Sequence, residues 1–307
     1  MPFVERDPWR EQYFAGVPCS EGVRIATDDG DAFEWNPRYR ALYDKLHVAH
    51  SQGLACGTTD ERPPAFPVFV KPRVNLKGMA TRSGRADSAE AFGRLAGPDM
   101  MWTEVLDGPH LSSDFAVENG RVRWCSHARG EPRDGGMFWY WTVGVPPPSG
   151  LVSRLEQWIA REAAGYTGMF NTETLGGRII EAHLRFADQW PDLYGGRPWL
   201  EAVVGLHTGH GWRFTGAEQR GFSVPLFMPH GQRYRHPPAA LQAQVRAAAA
   251  VTSLQVTFHE GSDPADHPMP PGGFRVAIVN GLDLAACLRA RDFLWASWFA
   301  RPQARAD

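Results

Sequence analysis

The sequence has little excess charge of either sign. Its 32 Lys and Arg stand against 34 Asp and Glu, a net −2 over 307 residues. Nothing in that balance draws the chain to nucleic acid or to an anionic membrane surface. There is no run of eighteen apolar residues, so no membrane-spanning helix is expected. The opening "MPFVERDPWREQYFAG" has no apolar core of the kind a signal peptide needs. Cys19, Cys56, Cys125 and Cys287 show no CxxC spacing, which reads as free thiols in a reducing cytoplasm. His207-Thr-Gly-His210 has neither a cysteine pair nor an HExxH helix beside it, so no zinc site is read there. The Walker A pattern is also missing, which excludes a P-loop enzyme. With 43% hydrophobic and 21% charged residues, the composition is that of a folded protein long enough for two domains. The 12 Trp, two of them in "MFWYWTVG", are read as core filling rather than as a sugar-stacking surface.

Hydrophobic spacing divides the chain coarsely. Residues 1–35 read as irregular, with acidic turn clusters such as "TDDGD". From Arg38 to Gln52 a helix is expected, with Tyr39, Leu42, Tyr43, Leu46 and Ala49 on one face. Asn36-Pro37 would start it and Gly53 stop it. "FPVFVK" (66–71) reads as a strand, 75–85 as a loop and "SAEAFGRLAG" as a short helix. Strands follow at 100–106 and 111–129, the second a hairpin turning at Glu118-Asn119-Gly120. A proline-rich break at 145–150 precedes a helix near 151–164. The region from about 199 onward is read as short strands with two helices, "PAALQAQVRAAAAV" and "DLAACLRARDFLWASWF". Strands and helices interleave without regular βαβ units, so the fold class is α+β.

The stretch "NTETLGGRIIEAHLRF", Asn171 to Phe186, alternates polar and apolar side chains. Residues two apart on a strand share a face. Glu181, His183 and Arg185 therefore project together, opposite to Ile180, Ala182, Leu184 and Phe186. A three-residue turn at Leu175-Gly176-Gly177 would pair position i with 352 − i, bringing Asn171 opposite Glu181 and leaving Glu173 on the same face. A two-residue Gly-Gly turn would separate the two glutamates. Carboxylates that close together repel unless a cation lies between them. A hard cation shared with phosphate oxygens answers that need. A charged solvent face on an ordinary hairpin is the plain alternative.

A second stretch, "VKPRVNLKGMATRSGR", carries Lys71, Arg73, Lys77, Arg82 and Arg85 with no acid among them. A lysine ending an apolar strand and a basic loop containing Gly78 and Gly84 suit a polyphosphate. A solvated basic loop is the alternative.

The order of these pieces resembles the ATP-grasp superfamily, which includes biotin carboxylase and D-alanine–D-alanine ligase. The order is helix, "FPVFVKP", a basic glycine-containing loop, "WTEVLDGPHLSSDF", then "FNTETLGGRIIEAHLR", over roughly residues 36–190. The resemblance implies two α+β lobes clasping ATP, with an additional C-terminal region. It implies phosphate contacts from Lys71, Lys77 and Gly78. Adenine is expected on a hinge matching Thr103 to Gly108, with contacts from Glu104 and Leu106. Mg²⁺, or Mn²⁺ in its place, is expected on Glu173, Glu181 and His183. Lys71 and Arg185 would neutralise charge during the reaction. His183 stands where the family usually has Asn, and His110 about where many members have a ribose-binding acid. The family's N-terminal substrate domain is missing or reduced to residues 1–60, so the pocket is expected from the C-terminal region, a homodimer or a partner subunit. The implied divisions are 1–60 as that truncated region, 61–107 as the lid lobe, 108–198 as the metal-binding lobe and 199–307 as the C-terminal region.

The activity implied is an ATP-dependent ligase. It would activate a small-molecule carboxylate as an acyl phosphate for attack by an amine or other nucleophile. A small-molecule kinase and a non-catalytic ATP-binding module are the other readings of the same residues. A glycan-binding module would use the tryptophans instead.

Overall fold

The computed structural model describes residues 3–4, 11–18, 22–76, 82–216, 220–260 and 270–300. The described residues among the first 35 are more regular than expected. They contain β1 (Phe3–Val4), α1 (Glu11–Phe14), β2 (Ile25–Ala26, parallel to β1) and α2 (Asp29–Trp35). "TDDGD" is the start of α2 rather than an irregular turn. The Asp28 side chain accepts from Asp31 N at 2.9 Å, and Asp29 and Asp31 occupy the first turn, where the helix dipole favours acids.

The helix expected over 38–52 is two pieces. A 3-10 turn runs Pro37–Tyr43, and α3 spans Lys45–His50. Asp44 interrupts them with extended backbone, and its side chain caps α3 by accepting from Leu46 N at 3.0 Å. Of the five residues expected on one face, Leu42, Tyr43 and Ala49 are buried and Tyr39 and Leu46 only partly so, while Val48, outside that set, is buried too.

A small sheet follows, made of β3 (Cys56–Thr58), β4 (Val68–Pro72), β5 (Gly84–Ala86) and β6 (Met100–Glu104), in the order β3-β6-β4-β5. Between β5 and β6 lies α4 (Ala89–Leu95), whose Phe92 packs on Val68, Val70, Ala86 and Trp102. Lys71 thus leaves an anchored strand.

The rest builds one eight-stranded antiparallel sheet. Its first members are β7 (His110–Glu118), β8 (Arg121–Arg133) and β9 (Met137–Val143), then β10 (Gly168–Leu175) and β11 (Arg178–His183), after α5 (Leu151–Glu162). Past α6 (Arg197–His207), β12 (Gly221–Met228), β13 (Val251–Val256) and β14 (Phe274–Gly281) join the same sheet, giving the order β11-β10-β7-β8-β9-β12-β14-β13. α7 (Ala239–Arg246) and α8 (Leu284–Leu294) are the two expected C-terminal helices, and α6 is a third that the spacing did not reveal.

The sheet is covered on both faces. Leu151, Leu155, Trp158 and Ile159 recur at helical spacing on α5 and meet Phe115, Val117 and Phe170. Trp199, Val203 and Leu206 of α6 lie in the same cluster as Ala116, Ala128, Trp141 and Met169. Trp102, Trp141, Trp158, Trp190 and Trp199 are buried, and Trp35, Trp124, Trp212 and Trp298 pack partly buried against the cores; Trp139, under the Arg133 guanidinium, and Trp295 are each 47% exposed.

Candidate functional site

The β10–β11 hairpin has a different turn from the one expected. Leu175 pairs with Arg178 across a two-residue Gly176-Gly177 turn, with φ of +56° and +79°. Such a turn matches the strand twist and needs positive φ at both positions. By itself it would have split the glutamates between faces. A bulge between Glu173 and Thr174 restores the parity, so the pairs become Glu173↔Glu181 and Asn171↔His183. Asn171 is therefore not opposite Glu181. The two carboxylates face each other directly, a tighter juxtaposition than the three-residue turn implied. Gly176 also abuts the linker from β6 to β7, where an added Cβ would lie 2.0 Å from Asp107 O.

Each carboxylate has a nitrogen partner. His110 Nε2 lies 3.0 Å from Glu173 Oε2, and Lys45 Nζ lies 3.5 Å from Glu181 Oε1. Burial works against ionisation of Glu173. The His110 hydrogen bond and the charges of His110, His183 and Arg185 outweigh it and hold the carboxyl well below its usual range. His183 Nε2 is 3.7 Å from Glu181 Oε2, and its Nδ1 bonds Asp29 Oδ1 at 2.9 Å. Arg185 makes a fork onto Asp29, with Nε to Oδ1 and Nη2 to Oδ2 both at 2.9 Å. Asp29 is buried, which opposes its charge, but Arg185 and then His183 prevail and its pKa falls well below the ordinary value.

Lys71 crosses from the small sheet to the large one, donating from Nζ to Ile180 O at 2.9 Å. Burial lowers its pKa to about 8, with Lys45 adding to the shift while Glu181 and Glu173 oppose it. Gln52 completes the cover of this sheet edge, accepting from Ile179 N at 2.7 Å and donating to Ile179 O at 2.8 Å. Of the other basic residues near Lys71, Arg73 pairs with Asp44 and Arg85 with Asp87. These two are committed to neighbours rather than held free for a phosphate. Lys77 and Gly78 lie outside the described residues. Glu104 receives Ala55 N on its side chain at 3.0 Å and gives its own N–H to Ala55 O. Leu106 packs against Ala49, Leu54 and Met101. The hinge therefore lies beside α3, at the side of the small sheet that faces β11.

Three residues at this junction escaped the sequence reading. Lys45 is buried beside Glu181; the Asp-Lys pair at a helix start was its available signal. Asp29 was inside "TDDGD", but nothing local says that it meets residues more than 150 positions later. Asp114, on β7 paired beside β10, is fully buried and accepts from Asn171 Nδ2 (2.6 Å), Tyr194 OH (2.7 Å) and Ala187 N (3.0 and 2.9 Å to its two oxygens). Burial pushes its pKa up to about 6 against those donors.

No group of three His, Cys, Asp or Glu side chains is gathered as a metal cage among the described residues. The donor set still fits a hard divalent cation. Two directly opposed carboxylates supply oxygen, and Mg²⁺ commonly takes one or two carboxylates with the rest from water and phosphate. His183 fits less well: its nitrogen is a poorer partner for Mg²⁺, and its Nδ1 is already engaged by Asp29.

The chain has the ATP-grasp fold. It is similar to phosphoribosylamine–glycine ligase of Thermotoga maritima, at TM-score 0.60 and 14% identity, covering 93% of this chain and 85% of that one. It is similar also to N5-carboxyaminoimidazole ribonucleotide synthetase of Thermus thermophilus, at TM-score 0.59 and 16% identity, with 92% and 84% covered. An L-amino acid ligase from Bacillus licheniformis aligns at TM-score 0.54 and 13% identity, with 85% and 71% covered. No protein-family model and no curated protein matches the sequence. No helix among the described residues is long and apolar enough to cross a membrane.

Proposed function

We propose that the protein is an ATP-dependent ligase that activates a small-molecule carboxylate and joins it to an amine or another nucleophile. The observation that carries this reading is the opposed pair Glu173 and Glu181 facing two buried ammonium groups, Lys45 and Lys71, where the two sheets of an ATP-grasp fold meet. A triphosphate and its metal need that combination: carboxylates for the cation, and lysines for phosphate oxygens. The similar structures named above are ligases and a synthetase, which supports the same class.

In this reading Glu173 and Glu181 hold Mg²⁺, or Mn²⁺ in its place, and the metal supplies charge neutralisation on the phosphates when bound. Lys71 and Lys45 steady the phosphate chain, joined by Lys77 and Gly78. Glu104 and Leu106 border the adenine, and Arg185 faces the transferred group or the carboxylate. The substrate carboxylate attacks the γ-phosphorus, the bond to the β–γ bridging oxygen breaks, and ADP leaves. The nucleophile then adds to the acyl carbon and expels phosphate, its proton passing to solvent. The side chains contribute position and fixed charge rather than a covalent nucleophile. Residues 61–107 act as the lid lobe and 108–198 as the metal-binding lobe, with 1–60 as the N-terminal region and 199–307 extending the large sheet. A reducing cytoplasm suits Cys56, Cys125 and Cys287, none of which forms a disulfide among the described residues.

A non-catalytic ATP-binding module is the second reading. The engagement of His183 and Arg185 by Asp29 favours it, since both are then occupied within the chain. The test is an ADP-release screen across amino acids and small carboxylates, each with and without amine acceptors. Release of ADP and phosphate only when donor and acceptor are both present supports the ligase. A stable phosphorylated product identifies a kinase, and Mg·ATP binding without turnover on any pair identifies the binding module.

A further inference from the structure

The junction of the two sheets is closed by the chain's own N-terminal segment. Asp29 lies in the first turn of α2, yet both its oxygens are spent on the far end of the hairpin. Oδ1 takes Arg185 Nε and His183 Nδ1, and Oδ2 takes Arg185 Nη2, each at 2.9 Å. Tyr43, on the same segment, accepts Leu184 N on its hydroxyl at 3.0 Å. Leu42, Tyr43, Lys45 and Asn75 on one side and Glu181 and His183 on the other leave a crevice of about 10 Å³. That is room for about one water and far too little for a triphosphate.

The chemistry of the contact is that of a ligand. A planar guanidinium accepts two oxygens of one carboxylate or one phosphate in the same fork. A protein carboxylate delivered from more than 150 residues away has taken that fork here. The element that delivers it is short. α2 has seven residues, and a helix of that length owes its stability to packing rather than to its own hydrogen bonds. It packs through Ala32 and through the partly buried Phe33 and Trp35, the Phe33 ring meeting Tyr43 edge-on at 5.5 Å.

We propose that Asp29 is a tethered competitor that keeps the site shut, and that an anionic ligand with phosphate or carboxylate oxygens displaces it from Arg185 as α2 moves away. This rests on the reading of Arg185 and His183 as site residues given above. The affinity of such a ligand is then lowered by the fraction of molecules in which Asp29 is bound, and freeing Arg185 restores it.

The experiment is calorimetric titration of the full chain with sodium tripolyphosphate and, separately, with Mg·ATP. It compares the wild type, Asp29→Asn and Asp29→Asn/Arg185→Gln. Asp29→Asn should bind tripolyphosphate at least about tenfold more tightly than the wild type, and the double variant should lose that gain. Equal affinity in wild type and Asp29→Asn, binding to neither, or a gain that survives Arg185→Gln overturns the proposal. The two ligands separate this idea from the nucleotide reading. Mg·ATP bound equally by wild type and Asp29→Asn leaves the nucleotide site standing and removes the competitor. A tripolyphosphate gain without any Mg·ATP binding does the reverse. If Asp29→Asn does not fold, amide exchange in the wild type decides. Tripolyphosphate should speed exchange across Asp29–Trp35, and unchanged or slower exchange there overturns the proposal.

Discussion

Burial lowers the Lys71 pKa to about 8, and a triphosphate beside Nζ would favour its charged form again. Binding of Mg·ATP at pH 9 should therefore take up a proton at this site, seen as a dependence of the binding enthalpy on the ionisation enthalpy of the buffer. No uptake would mean that Lys71 does not face phosphate. The free protein carries a linked effect. Between pH 8 and the ordinary lysine value the unfolded chain binds the proton that folded Lys71 has lost, so this residue makes stability rise with pH across that window. Denaturant midpoints of Lys71→Met should lack that rise. Glu181 behaves differently from what its sequence setting suggests. Two crowded carboxylates alone would make Glu181→Gln neutral or stabilising. With Lys45 buried 3.5 Å from Glu181 and Lys71 nearby, the substitution leaves ammonium groups uncompensated. The expected result is a loss of about 1–2 kcal/mol in urea unfolding, together with a fall of at least about a hundredfold in metal-dependent ATP turnover. A gain in stability would show that repulsion between Glu173 and Glu181 dominates after all.

At the level of elements, the hairpin shows how a turn and a bulge together set a site. Gly176-Gly177 makes the chain reverse in two residues, and the irregularity at Glu173/Thr174 returns the glutamates to one face. Alternation around Ala182 was readable, because its burial fixes the face of Glu181 and His183, but the bulge buries Ile179 rather than the expected Ile180, and the strand ends before Leu184 and Phe186. The bulge was not readable, because no local residue type demands it. Gly176→Ala places a Cβ 2.0 Å from Asp107 O at positive φ, so a destabilisation of at least about 1–3 kcal/mol in urea unfolding is expected. Exposed Gly53, also at positive φ but with nothing within 4 Å of its Cβ position, is the control and should cost less. Asp44 is a second hinge between elements. It caps α3 and pairs with Arg73, so Asp44→Ala loses both and should cost about 1–2 kcal/mol by the same measurement.

Across the whole molecule, the large sheet joins residues 110–183 to residues 221–281 without a break in strand pairing. A chain ending at residue 198 would leave β9 as a bare edge and strip α6 from the cluster around Trp141 and Trp190. Such a fragment should fail to fold, giving no cooperative thermal transition by circular dichroism. A cooperative transition would mean that the C-terminal strands are an appendage. For the full chain, a ligand held only by the native state adds RT ln(1 + [L]/Kd), about 2.7 kcal/mol at a hundredfold excess over Kd. Millimolar Mg·ATP should therefore raise the melting temperature measurably. No shift, in folded and nucleotide-free protein, would remove the nucleotide reading.

The sequence by itself determined what depends on neighbours along the chain. Strand alternation put Glu181 and His183 on one face, although Arg185 falls past the end of β11 and is placed by Asp29 instead; apolar spacing marked α5, α7, α8 and the strands around Lys71, and the order of motifs pointed to the ATP-grasp fold that the structure has. Tertiary structure decided which charges meet. Glu173 has His110, Glu181 has Lys45, and Arg185 has Asp29, pairings that span from 63 to 156 positions in the chain. A charged side chain looks much the same in sequence whether water or a buried partner will solvate it. Only the packed structure, which removes the water, makes the partner obligatory and so selects it.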